Sequence, residues 1–339
     1  MSEALTLDDV QAAVGRLAAA RDLKVIDHLD AHAQRWLAAT NLFFVNFSGP
    51  QSVVATIGGG AAGLVRIHDE VNLEMDRLDL DAPDAAANAS AFALLCVVPG
   101  MQETLRINGE VLPSDNSAEP ASLLLRVREC YLHCGKALIR SDFWSSGDVE
   151  PRDATDVKGF CDDARWVALA TTDAYQQADV SPKGDPAGAL LKIVDDHICI
   201  PDRPGNRRID GFRNILEQPA VALLALAPGS TQVLQVQGQA VISNAVDLTR
   251  CFMVAGKAPH LVTRVHAHSV SIYDSPALAR AKPWAVVHDQ PQFDAAKIFK
   301  AHIKLSKERG LGASLTRAAV ALPGMMDRGL KSDYEKNLY

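Results

Sequence analysis

Apolar residues Leu7, Val10, Val14 and Leu17 recur at helical spacing and predict an amphipathic helix over 6–20. Ile26, Leu29 and the run to Trp36 predict a second helix. The texture then changes to short apolar runs between turn residues. Runs at 42–47, 52–57, 91–98, 103–111 and 123–132 read as strands, with the glycines at 58–60 and Pro99-Gly100 as breaks. Residues 145–156 (SSGDVEPRDATD) are polar and read as a linker. A second series of strands follows at 166–171, 189–194, 197–200, 221–227, 232–242 and 265–273, with short helices around 210–217 and 247–254. Beyond Trp284 the chain turns helical again, most clearly over 293–306. Residues 328–339 are charged and expected to be loosely held.

The two strand series superimpose. FALLCVVPGMQETLRINGEVLPS (92–114) aligns without a gap on VALLALAPGSTQVLQVQGQAVIS (221–243), with eight of 23 positions identical. About one or two identities would arise by chance at ordinary residue frequencies. Downstream, KALIRSDFW (136–144) matches PALARAKPW (276–284), and upstream Trp36-Leu37-Ala38 matches Trp166-Val167-Ala168. The period is far too long for a solenoid. The chain is therefore expected to hold N-terminal helices (1–35), a first β unit (36–150), a second copy (151–288) and a helical extension (289–339).

Composition narrows the function. Of 339 residues, 48% are hydrophobic and 22% charged, as in an ordinary globular protein with a sizeable core. A net charge of -7 argues against nucleic acid or an anionic membrane as partner. The first 24 residues do not read as a signal peptide, and no apolar stretch reaches the ~18 residues of a membrane span. Six scattered cysteines without a CxxC pair fit a reducing cytoplasm, and the thiols read as structural rather than metal-binding.

Against the acidic background one cluster of cations stands out. The stretch IPDRPGNRRIDGFRN (200–214) carries a Pro204-Gly205 turn, then Arg207 and Arg208, then a short helix for which Asp210 is the expected N-cap. Arg213 lies in that helix, and Lys183 comes from the SPKGDPAG segment before it. A helix N-terminus flanked by guanidinium groups suits a phosphate. The same spacing also fits a solvated basic loop.

SPKGDPAG, IPDRPGNRRIDGFRNI, ETLRINGE and HCGKALIRSDFW together resemble segments of the pyridoxamine 5'-phosphate oxidase-related, FMN-binding split-barrel family, over roughly 36–144 and 160–284. The resemblance implies a mainly β fold with flanking helices, built as two tandem Greek-key split β-barrels that form an intrachain pseudo-dimer. It also implies an FMN site of the kind that homodimers build from both subunits. The motifs are divided between the copies. Only the second keeps the SPKGD and PGNRR segments, whereas Arg106, His133, Cys134 and Lys136 of the first are replaced by Gln235, Tyr273, Asp274 and Pro276. This pattern implies one composite site per chain. Ser181, Lys183, Asn206, Arg207, Arg208, Arg213 and Asn214 would hold the cofactor from the second copy, with Arg106, Lys136, Arg140 and Trp144 nearby from the first. His133 is the candidate proton-transfer group, since an imidazole titrates near neutrality; it also fits as a packed strand residue. Arg140 and Trp144 recur as Arg280 and Trp284, which suits a role in the fold as well as in the site.

The implied activity is an FMN-dependent oxidoreduction of a small molecule. The C-terminal segment does not resemble the phosphate-gripping tail of true pyridoxamine-phosphate oxidases, so vitamin B6 oxidation is disfavoured. No GxGxxG follows a strand, so NAD(P)H would serve only as a transient electron donor. The alternative is a related barrel that binds haem or the deazaflavin F420, for which His266 and His268 on one strand face are candidates. Association of the fused chain into a homo-oligomer is left open by the residues.

Overall fold

A computed structural model describes residues 5–17, 22–50, 52–113, 122–145, 154–285, 293–322 and 324–339. The expected linker therefore lies largely outside the described residues, as does the end of the helix expected over 6–20. Helices α1 (Leu7–Val14) and α2 (Ala31–Ala39) precede the β structure. The first copy contains β1 (Leu42–Gly49), β2 (Ser52–Gly59), β3 (Val65–Ile67), β4 (Asn72–Asp76), β5 (Ala91–Val97), β6 (Thr104–Val111) and β7 (Ser122–His133), then helix α3 (Lys136–Arg140). Helix α4 (Val157–Asp163) leads into the second. That copy contains β8 (Trp166–Thr172), β9 (Ala178–Gly184), β10 (Lys192–Val194), β11 (His197–Pro201), helix α5 (Asp210–Glu217), β12 (Ala220–Leu226), β13 (Gln232–Ser243), helix α6 (Val246–Arg250), β14 (Val262–Asp274) and helix α7 (Pro276–Ala281). Helices α8 (Ala295–Leu305), α9 (Leu311–Ala321) and α10 (Met325–Lys336) close the described chain.

The fold is mainly β, with two tandem split barrels. Each copy forms one seven-stranded antiparallel sheet, and the strand orders are the same. β2-β1-β5-β6-β7-β4-β3 in the first corresponds to β9-β8-β12-β13-β14-β11-β10 in the second. The register repeats as well. Leu94 pairs with Ile107 as Leu223 pairs with Val236, both displaced by 129 residues. A bulge falls at Asn108/Gly109 in one copy and at the equivalent Gln237/Gly238 in the other. Such a bulge bends the long strands and sharpens their twist, which helps a sheet curl into a barrel.

The upstream repeat match is corrected by this register. Leu42 pairs with Val97 as Trp166 pairs with Leu226, so the counterpart of Trp166 is Leu42. Trp36 instead lies in α2, packed inside the first barrel with its indole N–H donating to the Cys96 carbonyl at 3.3 Å. Three residues shared between a helix and a strand do not share a structural position.

Both faces of the central strands are buried, which explains their unbroken apolar runs. Phe43, Val45, Phe47, Phe92, Leu94 and Cys96 point into the first barrel, and Val167, Leu169, Val221 and Leu223 into the second. The alternate residues meet between the barrels: Leu42, Phe44, Ala91, Ala93 and Leu95 against Trp166, Ala168, Ala170, Ala222 and Leu224. The many alanines let the two sheets approach closely. Phe44 and Trp166 pack with centroids 4.3 Å apart, an aromatic pair of about 0.5–1.5 kcal/mol beyond its area.

Two glycines let the backbones of the two copies approach closely. A Cβ on Gly184 would lie 2.0 Å from the carbonyl oxygen of Ala137, and one on Gly59 2.3 Å from that of Ala277. Beside each glycine an arginine crosses between the copies. Arg140 donates to the Gly184 carbonyl at 2.8 Å and Arg280 to the Gly59 carbonyl at 2.9 Å.

Candidate functional site

The pseudo-twofold arrangement brings the two divided motif sets together. A cleft between the copies is lined by Arg106, His133, Cys134, Lys136 and Arg140 of the first and by Ser181, Lys183, Asn206, Arg207 and Arg208 of the second. It holds about 70 Å³ of free space. Lys136, Arg203 and Arg207 also line an adjoining chamber of about 630 Å³.

The second-copy wall is built on β9 and the loop before α5. Alternation along β9 sends Val180 into the core and Ser181 and Lys183 to the cleft. The Lys183 ammonium lies 3.3 Å from Asp202 and 5.2 Å from the centre of the Phe212 ring. Helix α5 begins at Asp210; its N-cap is Ile209, which supplies no side-chain cap. The expected Asp210 cap is thereby corrected: its carboxylate instead accepts from Arg208 Nε at 2.7 Å. Burial works to raise the Asp210 carboxyl, but Arg208 and Arg106 outweigh it and hold the group below its usual range. Arg208 lies over the Tyr131 ring at 5.0 Å, and its buried Nη1 meets no hydrogen-bond acceptor among the described residues. Arg207 is exposed, has no described hydrogen-bond acceptor or ion-pair partner, and is held at φ 61°, a left-handed backbone that costs a non-glycine residue of order 1 kcal/mol or more.

The remaining residues divide by what already occupies them. Arg106 is buried in an ion pair with Asp179 of β9 and also donates to Asn108 at 3.2 Å, so its guanidinium bridges the copies. Arg140 gives its donors to the carbonyls of Gly184, Pro204 and Leu338. Lys136 pairs with Asp333 at 2.9 Å. Trp144 does not line the cleft: its indole N–H donates to the Met101 carbonyl at 2.5 Å, beside the core between the barrels. Arg213 is exposed and Asn214 is buried against Thr171 at 3.0 Å, and neither lines the cleft.

His133 is buried in the cleft wall with both ring nitrogens in contact. Burial, reinforced by the charges of Lys24 and Arg106, holds it well below its ordinary pKa and hence neutral. Nδ1 lies 3.3 Å from the Cys134 carbonyl and Nε2 3.1 Å from the Asn206 amide nitrogen. Both contacts are satisfied by a ring protonated on Nδ1, with Nε2 accepting from Asn206. The imidazole thus ties β7 to the arginine loop.

Sequence reasoning missed five residues. Arg203 pairs with buried Asp185 at 2.6 Å, and Asp179 receives Arg106. Residues of helix α10 and after it, expected to be loosely held, line the chamber. Tyr334 donates its hydroxyl to Glu103 at 2.8 Å and accepts from the Gly135 amide at 3.0 Å. Tyr339 covers Arg203 with its ring at 5.5 Å.

The mirror-related position is closed to a side chain like that of Lys183. Gly58 replaces Lys183, and a side chain there would strike the Phe43 ring. Beside Thr56, the counterpart of Ser181, Asp81 accepts from the Tyr273 hydroxyl at 3.3 Å, from Ser275 and from the Ala277 amide at 2.8 Å. A carboxylate in place of an arginine pair repels an anion.

His266 and His268 are exposed on β14, away from the cleft. Among the described residues no cluster of His, Cys, Asp or Glu is set to hold a metal, and no helix is long and apolar enough to cross a membrane.

No protein-family model matches the chain, and no curated protein does. Among solved structures it is similar to HupZ of Group A Streptococcus at 17% identity, covering 37% of this chain and 98% of that one with a TM-score of 0.29. It is similar to General Stress Protein 26 of Bacillus anthracis at 14%, covering 33% and 86%, TM-score 0.27. An F420 reductase matches at 16%, covering 35% and 98%, TM-score 0.27.

Proposed function

We infer that the chain is a flavin mononucleotide-dependent oxidoreductase of small molecules, with one cofactor bound between its two barrels. The observation that carries this reading is the gathering of Ser181, Lys183, Arg207 and Arg208 on one wall of the cleft, beside the uncapped start of α5. A phosphate oxygen would accept from the Arg208 guanidinium, whose contact with Asp22 is long at 3.9 Å. Ser181, Lys183 and Arg207 would meet the other phosphate oxygens, and the α5 amides add the favourable end of a helix dipole. The ring end would extend past Lys136 towards the chamber, whose volume lies within the usual range for small-molecule sites. Bound flavin supplies two-electron redox chemistry.

The chain's own residues would do the rest. Arg106 with Asp179, and Arg140 with Gly184, fix the distance between the copies and so the width of the cleft. His133 would orient Asn206 and hold the Arg207–Arg208 loop. The closed mirror position supports a single cofactor.

Fluorescence titration of the purified chain with FMN and with riboflavin tests this. FMN should bind at least 100-fold more tightly, because only FMN carries the phosphate, and Arg208→Ala should remove most of that preference. Equal affinities in the unsubstituted chain would overturn the phosphate assignment.

A further inference from the structure

The chamber has polar groups that the cofactor reading does not use. Lys257 and His260 line the chamber and not the cleft, together with the small residues Ala12 and Ala13 of α1. Oxygens of the C-terminal segment cover the positive groups. Asp333 Oδ2 lies 2.9 Å from Lys136, the Leu338 carbonyl accepts from Arg140 at 3.0 Å, and the Tyr339 backbone oxygen accepts from Lys257 at 2.8 Å. In a chain of net charge -7, acidic and carbonyl oxygens gathered on these cations stand where a ligand's oxygens would stand.

We propose that the chamber is the substrate site, that its substrate is an organic oxyanion bearing a carboxylate or a phosphate, and that residues 333–339 hold the same cations until that substrate displaces them. The assignment as a substrate site rests on the flavin reading; binding of the oxyanion does not. The acids already in the wall leave room for such charge. Asp202 is paired with Lys183 and Asp333 with Lys136, whereas Lys257 meets only the Tyr339 backbone oxygen among the described residues. Lys136 lines both chamber and cleft, so an anion held in the chamber would lie on the side to which the ring end extends.

Calorimetric titration of the full chain with phenyl phosphate and with benzoate tests the proposal and separates the two oxyanion types. At least one probe should bind at one per chain. Lys257→Ala should weaken it about tenfold, and Asp333→Asn, which loosens the competing segment, should tighten it several-fold. Ala12→Trp, on an exposed position of the chamber wall, should block it. Limited proteolysis should cut the C-terminal segment faster when the probe is bound. No binding of either probe, or affinities indifferent to Lys257 and Asp333, would overturn the proposal. Flavin content separates the two readings. Lys257-dependent binding by a chain that takes up no FMN would sink the flavin reading and keep the oxyanion site; a normal flavin complement with indifferent probes would do the reverse.

Discussion

Arg106 and Asp179 form a buried ion pair across the two copies, with side chains 2% and 5% exposed. Removing one partner of such a pair strands the other charge, at about 3–5 kcal/mol, whereas replacing both with uncharged groups of suitable shape is often nearly neutral. The molecule contains its own template for that replacement. By register, Arg106 corresponds to Gln235 and Asp179 to Val54. Gln235 spans the mirror interface with one hydrogen bond to the Ala55 carbonyl at 3.0 Å. Arg106→Gln alone should therefore cost about 3–5 kcal/mol by leaving Asp179 buried with only Ser181 as a side-chain donor. Asp179→Val alone should cost about as much by stranding the guanidinium. The double variant should fall within about 1–2 kcal/mol of the parent, a coupling of about 3 kcal/mol or more. Urea unfolding followed by far-UV circular dichroism gives the three free energies, provided the transition is single in each. Additive costs, with coupling under about 0.5 kcal/mol, would refute the idea that the pair acts as one unit holding the barrels together.

Other outcomes follow from the same geometry. Gly59→Ala and Gly184→Ala each drive a methyl into backbone of the opposite copy, so each should destabilise by at least about 2–3 kcal/mol in a thermal melt; only Gly184→Ala, at the cleft, should also weaken FMN. His133 is held neutral in the folded chain, so between its depressed pKa and the ordinary value near 6.5 the unfolded state binds the extra proton. Its contribution is thus full above about pH 6.5 and lost as pH falls, by up to about 1.4 kcal/mol per pH unit. Urea midpoints at pH 7.5, 6.0 and 5.0 should fall more steeply for the parent than for His133→Gln, and parallel slopes would count against a buried neutral imidazole. Trp144→Phe should lower the melting temperature by removing the Met101 hydrogen bond while leaving FMN affinity unchanged.

Much of the fold was legible because both faces of its central strands are buried. Apolar runs such as 91–98 and 221–227 stand out, and the Pro-Gly turns keep them in phase. The upstream match failed because Trp36-Leu37-Ala38 shares letters with a strand but sits in a helix. Asymmetric survival of charged motifs identified the residues that meet at the cleft. It could not show which were already engaged. Arg106, Arg140 and Lys136 find Asp179, Leu338 and Asp333 at separations of 73 to 198 residues, and no local pattern encodes such pairing. The role of α10 was hidden for the same reason: its polar surface reads as a solvated helix until its partners are known.

The central claim is one composite flavin site per chain. Reconstituting the chain with excess FMN, removing unbound cofactor, and measuring released flavin against protein concentration tests it most directly. The account predicts a ratio near one, falling towards zero in Arg208→Ala and unaffected by Asp81→Asn at the closed mirror position. A ratio near two, or no flavin retained at all, would contradict it.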